Sequence, residues 1–245
     1  MGTSHAKTAL PCQDFALCNT LKTSAEQFLI AVVSDGAGTA KYARDGARIT
    51  CLEFMYAAKS FLIDNPSVSH IEENTVLDWL DRMRDRLSEF SRRRSARPRD
   101  FAATLIGLIA GSHSTLIVHI GDGAAVVRED GKQNWIVPSW PYHGEYEATT
   151  CFVTDDPPLN LTVMQLPIRI DRFALFSDGI ERLVLDFTQK NAYAAFFERI
   201  TKPLESSKTC GFDFELANSL QSYLSGQSIC DRTDDDKSLI IGIRV

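Results

Sequence analysis

The stretch that decides the reading is Phe28-Leu29-Ile30-Ala31-Val32-Val33-Ser34-Asp35-Gly36-Ala37-Gly38. Its continuous apolar run, rich in β-branched side chains, is too short for a helix and fits a strand covered on both faces. An aspartate stands at the strand's exit, and the glycines behind it permit a sharp turn. Beyond the turn, Ala43, Ala47, Cys51, Phe54, Ala58 and Phe61 recur at steps of four and three, the spacing of one helix face. Asp64-Asn65-Pro66 should stop that helix. A second helix is predicted from Val76, Leu80, Met83, Leu87 and Phe90. Its far side and tail carry Arg82, Arg84, Arg86, Arg92, Arg93, Arg94, Arg97 and Arg99. These read as a solvated basic face, with a docking surface for acidic or phosphorylated partners as the minority reading.

From Phe101 the texture turns to β. Ala102–Ala110, Thr115–Ile120, Ala124–Glu129 and Asn134–Val137 are short runs separated by Gly111-Ser112-His113, Gly121-Asp122-Gly123 and Asp130-Gly131. Tight turns between closely spaced runs favour an antiparallel meander, because parallel pairing needs long crossovers. Pro138–Pro158 has no clear period and reads as a long loop, a common place for function. Strand character returns at Leu161–Leu166 and Phe173–Phe176, helical texture at Tyr193–Ile200 and Phe214–Leu224, and a last strand at Ser238–Val245. No repeat or linker is visible, so one domain over residues 1–245 is expected, with helices on the outer faces of sheets.

The 245 residues carry a net charge of −6 and an ordinary globular composition, which excludes disordered and collagenous classes. The acidic balance argues against a nucleic-acid partner. No apolar run approaches the roughly 18–20 residues of a membrane span, so no membrane association is expected. The first residues lack the apolar core of an export signal, which makes the cytoplasm the expected location. Cys12, Cys18, Cys51, Cys151, Cys210 and Cys230 are scattered without CxxC spacing and read as free thiols.

Several chemistries have no support. The chain holds no GxxxxGK[ST], no GxSxG, no HExxH, and no cysteine with an arginine six positions later. What recurs is an aspartate at the end of an apolar strand, followed by glycine: Asp35-Gly36, Asp122-Gly123 and Asp178-Gly179. The run Asp234-Asp235-Asp236 directly precedes the last strand, and Asp14 precedes another apolar run. A single turn aspartate is usually a local hydrogen-bonding residue. Three at strand exits are another matter: if those strands are neighbours, the like charges repel unless a hard divalent cation sits among them.

Taken in order, Gln13-Asp14, Ser34-Asp35-Gly36-Ala37-Gly38 with Gly46-Ala47, Ala103-Thr104-Leu105, Ile120-Gly121-Asp122-Gly123, Ser177-Asp178-Gly179-Ile180 and Asp235-Asp236-Lys237-Ser238-Leu239 resemble the metal-dependent serine/threonine protein phosphatases, the PPM or type 2C family, in a bacterial form. The resemblance covers nearly the whole chain. It implies an α+β fold, a four-layer α-β-β-α sandwich of two central antiparallel sheets flanked by helices, with a metal centre at one end. It implies hydrolysis of phosphoserine and phosphothreonine monoesters by a metal-activated water at a centre of two Mn²⁺ or Mg²⁺ ions, with a third, weaker site. Two cations about 3.5–4 Å apart lower the pKa of a shared water and neutralise charge on the phosphoryl oxygens.

Carried over residue by residue, the resemblance makes Asp35 the bridging carboxylate, aided by the Gly36 carbonyl. Asp178 and Asp235 would hold the second ion, and Asp122 the weaker third. Asp14 would orient the water, so Asp35 and Asp14 are the expected catalytic pair. Asp236 stands where many relatives have asparagine; register with the following strand favours Asp235 over its neighbours. The chain departs from the family at Ala37, where eukaryotic relatives place a histidine. It departs again ahead of Asp14, where the family's phosphate-binding arginine is absent and His5 and Lys7 are the nearest candidates. Arg44 and Arg48 are further possibilities. Trp135–Thr154, with Trp140, Tyr142, His143 and Glu145, falls where bacterial relatives carry a flap beside the metals. The implied partners are phosphorylated protein substrates, opposing a serine/threonine kinase, met by a monomer. Two other readings stay open: a pseudophosphatase that binds phosphoproteins without turnover, motivated by the missing histidine and arginine, and a two-metal nuclease, which the acidic charge disfavours.

Overall fold

The computed structural model describes residues 1–142, 150–155 and 160–244. In chain order the elements are α1 (Thr3–Thr8), β1 (Phe15–Lys22), β2 (Gln27–Ser34), α2 (Ala43–Asp64), α3 (Glu73–Arg93), β3 (Leu105–Ala110), β4 (Thr115–Ile120), β5 (Ala124–Glu129), β6 (Trp135–Ser139), β7 (Thr162–Leu166) and β8 (Ile170–Phe176). After these come α4 (Glu181–Val184), β9 (Leu185–Asp186), β10 (Asn191–Ala192), α5 (Ala194–Glu205), α6 (Phe214–Leu224), α7 (Gln227–Cys230) and β11 (Leu239–Ile243). One sheet has the order β1-β2-β3-β4-β7 and a second β11-β8-β5-β6, while β9 and β10 form a short two-stranded ribbon; among the described residues every pairing is antiparallel. Among the described residues no helix is long and apolar enough to cross a membrane.

The side-chain alternation of β2 explains the layering. Ile30 and Val32 join Phe54, Leu62, Trp79, Leu80 and Leu87 in a core shared with α2 and α3. Ala31 and Val33, on the opposite face, join Leu108, Ile117, Val127, Phe173 and Leu175 between the two sheets. Successive strand residues point to opposite faces, so a strand apolar at every position needs a covering layer on each side. The same alternation recurs in β8, where Ala174 and Phe176 turn away from the sheet interface to meet Ile180, Phe197 and Leu224. The result is the expected sandwich of two antiparallel sheets with helices outside.

Edges of elements differ from the sequence expectation where backbone bonding overrides apolarity. Pro98–Phe101 is a 3₁₀ turn, and β3 begins only at Leu105. Between them Ala103 makes one bridge to Gly36. Helix α1 carries no apolar period and was not anticipated; it forms over the acidic turn at residues 234–236, where Ser4 N–H donates to the Asp234 carbonyl at 3.0 Å. The expected loop at Pro138–Pro158 starts later, because β6 runs to Ser139. His143, Glu145 and Tyr146 lie outside the described residues, as does Asp156. Trp140 packs edge-on to Phe187 at 5.8 Å.

Phe197 is fully buried between Trp135, at 5.2 Å, and Phe176, at 6.2 Å, whereas Phe214 is 74% exposed. Phe197→Ala is expected to cost about 3–5 kcal/mol in urea unfolding. Phe214→Ala should stay within roughly 0.5 kcal/mol in the same measurement.

Candidate metal centre

Antiparallel pairing brings alternate strand ends to one side of the molecule. Phe15 at the start of β1 pairs with Ser34 at the end of β2, and Leu105 at the start of β3 pairs with Ile120 at the end of β4. In the second sheet Phe176, at the end of β8, faces both Ala124 and Leu239. Asp14, Asp35, Asp122, Asp178 and Asp235 all lie just beyond these termini. A sequence separation of more than two hundred residues therefore closes into one cluster.

Asp35, Asp122 and Asp178 each present a carboxylate oxygen within 4.8 Å of the other two. Asp14 is buried. Its Oδ2 accepts a hydrogen bond from the Ser177 hydroxyl at 2.6 Å, while Oδ1 meets no donor among the described residues. The Asp35 carboxyl lies close enough to Asp14 for the two to interact. Ser177 is itself fixed, because its hydroxyl accepts from the Ser238 N–H at 3.0 Å and thereby ties β8 to β11. Asp122 Oδ2 accepts from the Thr150 hydroxyl. Asp35 is held through its backbone: its N–H donates to Thr104 Oγ1 at 2.9 Å, and its carbonyl accepts from the Thr104 N–H at 2.8 Å.

The electrostatics follow from crowding. Burial, then the Asp14, Asp178 and Asp122 charges, hold the Asp35 carboxyl well above the ordinary aspartate range. Asp178 is pushed up to about 8 by burial first, then by Asp122, Asp235 and Asp14. Burial raises Asp14 as well. All three hold their protons more tightly than a free aspartate, which is the signature of carboxylates placed together without a compensating charge. The donor set is all oxygen, partly buried and anionic. It suits a hard divalent ion.

Asp235 and Asp236 are separated cleanly by their surroundings. Asp236 is buried, and its oxygens accept from Gly2 N–H at 2.5 Å, Gln13 N–H at 2.6 Å and His5 Nδ1 at 2.8 Å. Burial acts to raise this carboxyl, but the Gln13, Gly2 and His5 contacts outweigh it and hold it below its usual value. Asp235 is exposed and lines a pocket of about 360 Å³ together with Asp122, Asp178 and Glu181. A Cβ at Gly179 would overlap the Asp236 carbonyl oxygen. Only glycine there lets the Asp178 turn and the Asp235 turn touch.

Of the residues considered for phosphate, His5 is turned to Asp236, Lys7 is exposed on α1, and Arg44 and Arg48 are exposed on α2. The cations that line the pocket, among the described residues, are Arg182 and Arg232. Glu181 also escaped the sequence reading. It is 4% exposed, and burial followed by the Asp122 charge pushes its carboxyl to about 8. The available signal was its position three residues after Asp178, on the first turn of the short helix α4. The Asp155 carboxylate accepts from the Phe152 N–H at 2.8 Å and closes a local turn.

The arrangement defines a class: a two-sheet sandwich with an acidic, metal-suited pocket at one end. The family model for protein phosphatase 2C matches residues 1–225. Serine/threonine-protein phosphatase 3 of Escherichia coli (strain K12) is 32% identical over 247 residues, covering 99% of this chain and 95% of that protein. The chain belongs to the protein phosphatase 2C family. Its fold is also that of serine/threonine phosphatase Stp1 from Staphylococcus aureus, with a TM-score of 0.61 at 15% identity over 96% of this chain and 90% of that one. PppA of Pseudomonas aeruginosa gives a TM-score of 0.57 at 15% identity, over 94% and 98% of the respective chains.

Because Asp178 and Glu181 bind protons more tightly in the folded than in the unfolded chain, the contribution of these two groups to the stability of the metal-free protein should be fully present below about pH 4 and be lost as pH rises through about 8. Added Mn²⁺ should raise the melting temperature more at pH 8 than at pH 5.5. Thermal unfolding with and without metal at the two pH values checks this.

Proposed function

We propose that this chain is a Mn²⁺- or Mg²⁺-dependent protein serine/threonine phosphatase acting on phosphoserine and phosphothreonine in proteins. The observation that carries the reading is the convergence of the Asp35, Asp122 and Asp178 oxygens within 4.8 Å. Family membership supports it, and so does the intact acidic set, which speaks against a binding-only module. Asp35 and the Gly36 carbonyl, Asp178 and Asp235 would hold two ions, with Asp122 at a third. Ions bound there would supply positive charge for the phosphoryl oxygens and an acidified water for in-line attack.

The chain's own residues then have distinct tasks. Asp14, fixed by Ser177 and offering a free Oδ1, accepts a proton from the attacking water and keeps it oriented. Thr150 holds one Asp122 oxygen and so sets the direction of the other. Arg182 and Arg232, at the pocket wall, meet the phosphate ester and offset the surrounding carboxylates. No nucleophilic side chain is needed. We assign the protein to the interior of the cell, working as a monomer opposite a kinase.

Turnover of p-nitrophenyl phosphate with Mn²⁺ tests the reading. Asp35→Asn and Asp178→Asn should each lower kcat/KM by at least about a hundredfold, and Asp14→Asn by about 10–100-fold. Wild-type protein inert with both metals, or variants equal to it, would refute the assignment. Arg182→Ala with Arg232→Ala should raise KM about tenfold with a smaller change in kcat, and the double Lys variant should recover part of the loss.

A further inference from the structure

The chain is acidic overall, yet one surface is strongly basic. Residues 41–48 and 92–100 hold eight lysines and arginines against Asp45 and Asp100, a local net charge of +6; the remainder of the chain therefore carries −12. Folding puts the two segments side by side. The Tyr42 ring stacks on Phe101 at 4.9 Å, with Arg94 over its face at 4.9 Å and Lys41 at 5.2 Å. Arg94 also pairs with Asp45 at 3.0 Å across the start of α2 and the end of α3.

Two facts point to an occupant. Lys41, Arg44, Arg48, Arg92 and Arg99 are exposed, and none of them forms an ion pair among the described residues. A concentration of uncompensated like charge on an otherwise anionic protein favours an anionic partner. The patch is also wired to the metal centre. Asp35 and Tyr42 are the two ends of one turn that pairs with residues 104 to 100: the Asp35 carbonyl accepts from Thr104 N–H, the Ala102 carbonyl from Ala37 N–H at 2.9 Å, and the Asp100 carbonyl from Tyr42 N–H at 2.7 Å. Seven residues of chain set a ceiling of about 25 Å on that separation. An extended peptide covers it with about seven or eight residues.

We propose that the surface formed by Lys41–Arg48 and Arg92–Arg99 docks an acidic segment of the phosphoprotein substrate, flanking the phosphorylated residue. This rests on the phosphatase reading and adds a substrate class to it: phosphoserine or phosphothreonine within a run of Asp, Glu or further phosphates. Exposed charges farther apart than about 8 Å are screened at physiological salt, so the acidic side chains must reach the arginines themselves.

The experiment compares two phosphothreonine peptides, one flanked by Asp and Glu and one by Asn and Gln, on wild type and on the triple variant Lys41→Gln, Arg92→Gln, Arg99→Gln. At low salt the wild type should favour the acidic peptide by about tenfold in kcat/KM, and the preference should vanish in the variant and in 1 M NaCl, where the screening length is about 3 Å. Turnover of p-nitrophenyl phosphate, which is too small to reach the patch, should agree within about twofold between the two proteins; this also shows that the variant is folded. Equal rates on the two peptides, or an unchanged preference in the variant, overturn the docking surface. So does a variant whose only loss is binding to anionic vesicles or an oligonucleotide. If the wild type fails on p-nitrophenyl phosphate, the phosphatase reading falls instead, and fluorescence anisotropy of the same two peptides still decides the surface.

Discussion

Mutual repulsion among buried carboxylates is the constraint on which the structure turns. Asp14, Asp35, Asp122 and Asp178 come from both sheets and share one small region, where each raises the cost of ionising the next. Pairing of β2 with β3, β4 with β3 and β8 with β5 and β11 fixes the strand ends that carry them, so they cannot relax apart without breaking ladders. The metal-free protein meets the strain by retaining protons. A divalent cation meets it better, because it replaces several weak protonations with one concentrated charge. The geometry that is unfavourable alone is therefore one that could hold a metal ion.

The two adjacent aspartates before β11 show how the fold divides labour between identical side chains. Asp236 is saturated by donors from Gly2, His5 and Gln13, and in that role it is a staple joining both ends of the described chain. Asp235, one residue earlier, receives the Asp236 N–H at 2.8 Å, and its carbonyl is capped by Lys237 Nζ at 2.8 Å. Its carboxylate is thus set toward the pocket by bonds that leave one oxygen outside them. Had Asp236 been left without donors, its burial would have raised its pKa and added another proton-binding carboxyl beside a site already crowded with them.

Much of this was legible in the sequence, for physical reasons that also mark the limit. Phe28–Val33 is apolar at every position, which already demands layers on both faces, and the Asp-Gly pairs mark strand exits because glycine is needed where two turns touch. The preference for Asp235 followed from register, and the donors to Asp236 are an independent reason for it. Helix α1 was invisible since its six residues have no apolar face; it exists because the turn at 234–236 offers carbonyl and carboxylate acceptors. Glu181, Arg182 and Thr150, and the part Ser177 plays, were passed over for a related reason. Each is ordinary in its local context and becomes part of the site only through partners 28 or more residues away or through the pocket wall they happen to line. Composition cannot report such contacts.

The outer helices do more than cover a sheet. Arg84, on α3, donates from Nε to the Val153 carbonyl at 2.9 Å and from Nη2 to the Asp155 carbonyl at 3.0 Å. Val153 N–H donates in turn to the Ala103 carbonyl, beside the bridge to Gly36. Residues 150–155 are thereby clamped between a helix on one side and the metal turn on the other, with Thr150 reaching Asp122 from the end of the clamp. Gly46 completes the bracket, for a Cβ there would strike the Phe101 carbonyl and lever α2 away from the turn that carries Asp35. A carboxylate cluster needs rigid supports to keep its members from drifting toward solvent, and here each support is itself buttressed by an element of a different layer. The layers are thus linked at the site: Arg84 on α3 holds the carbonyls of Val153 and Asp155, and Thr150 of the same segment reaches Asp122.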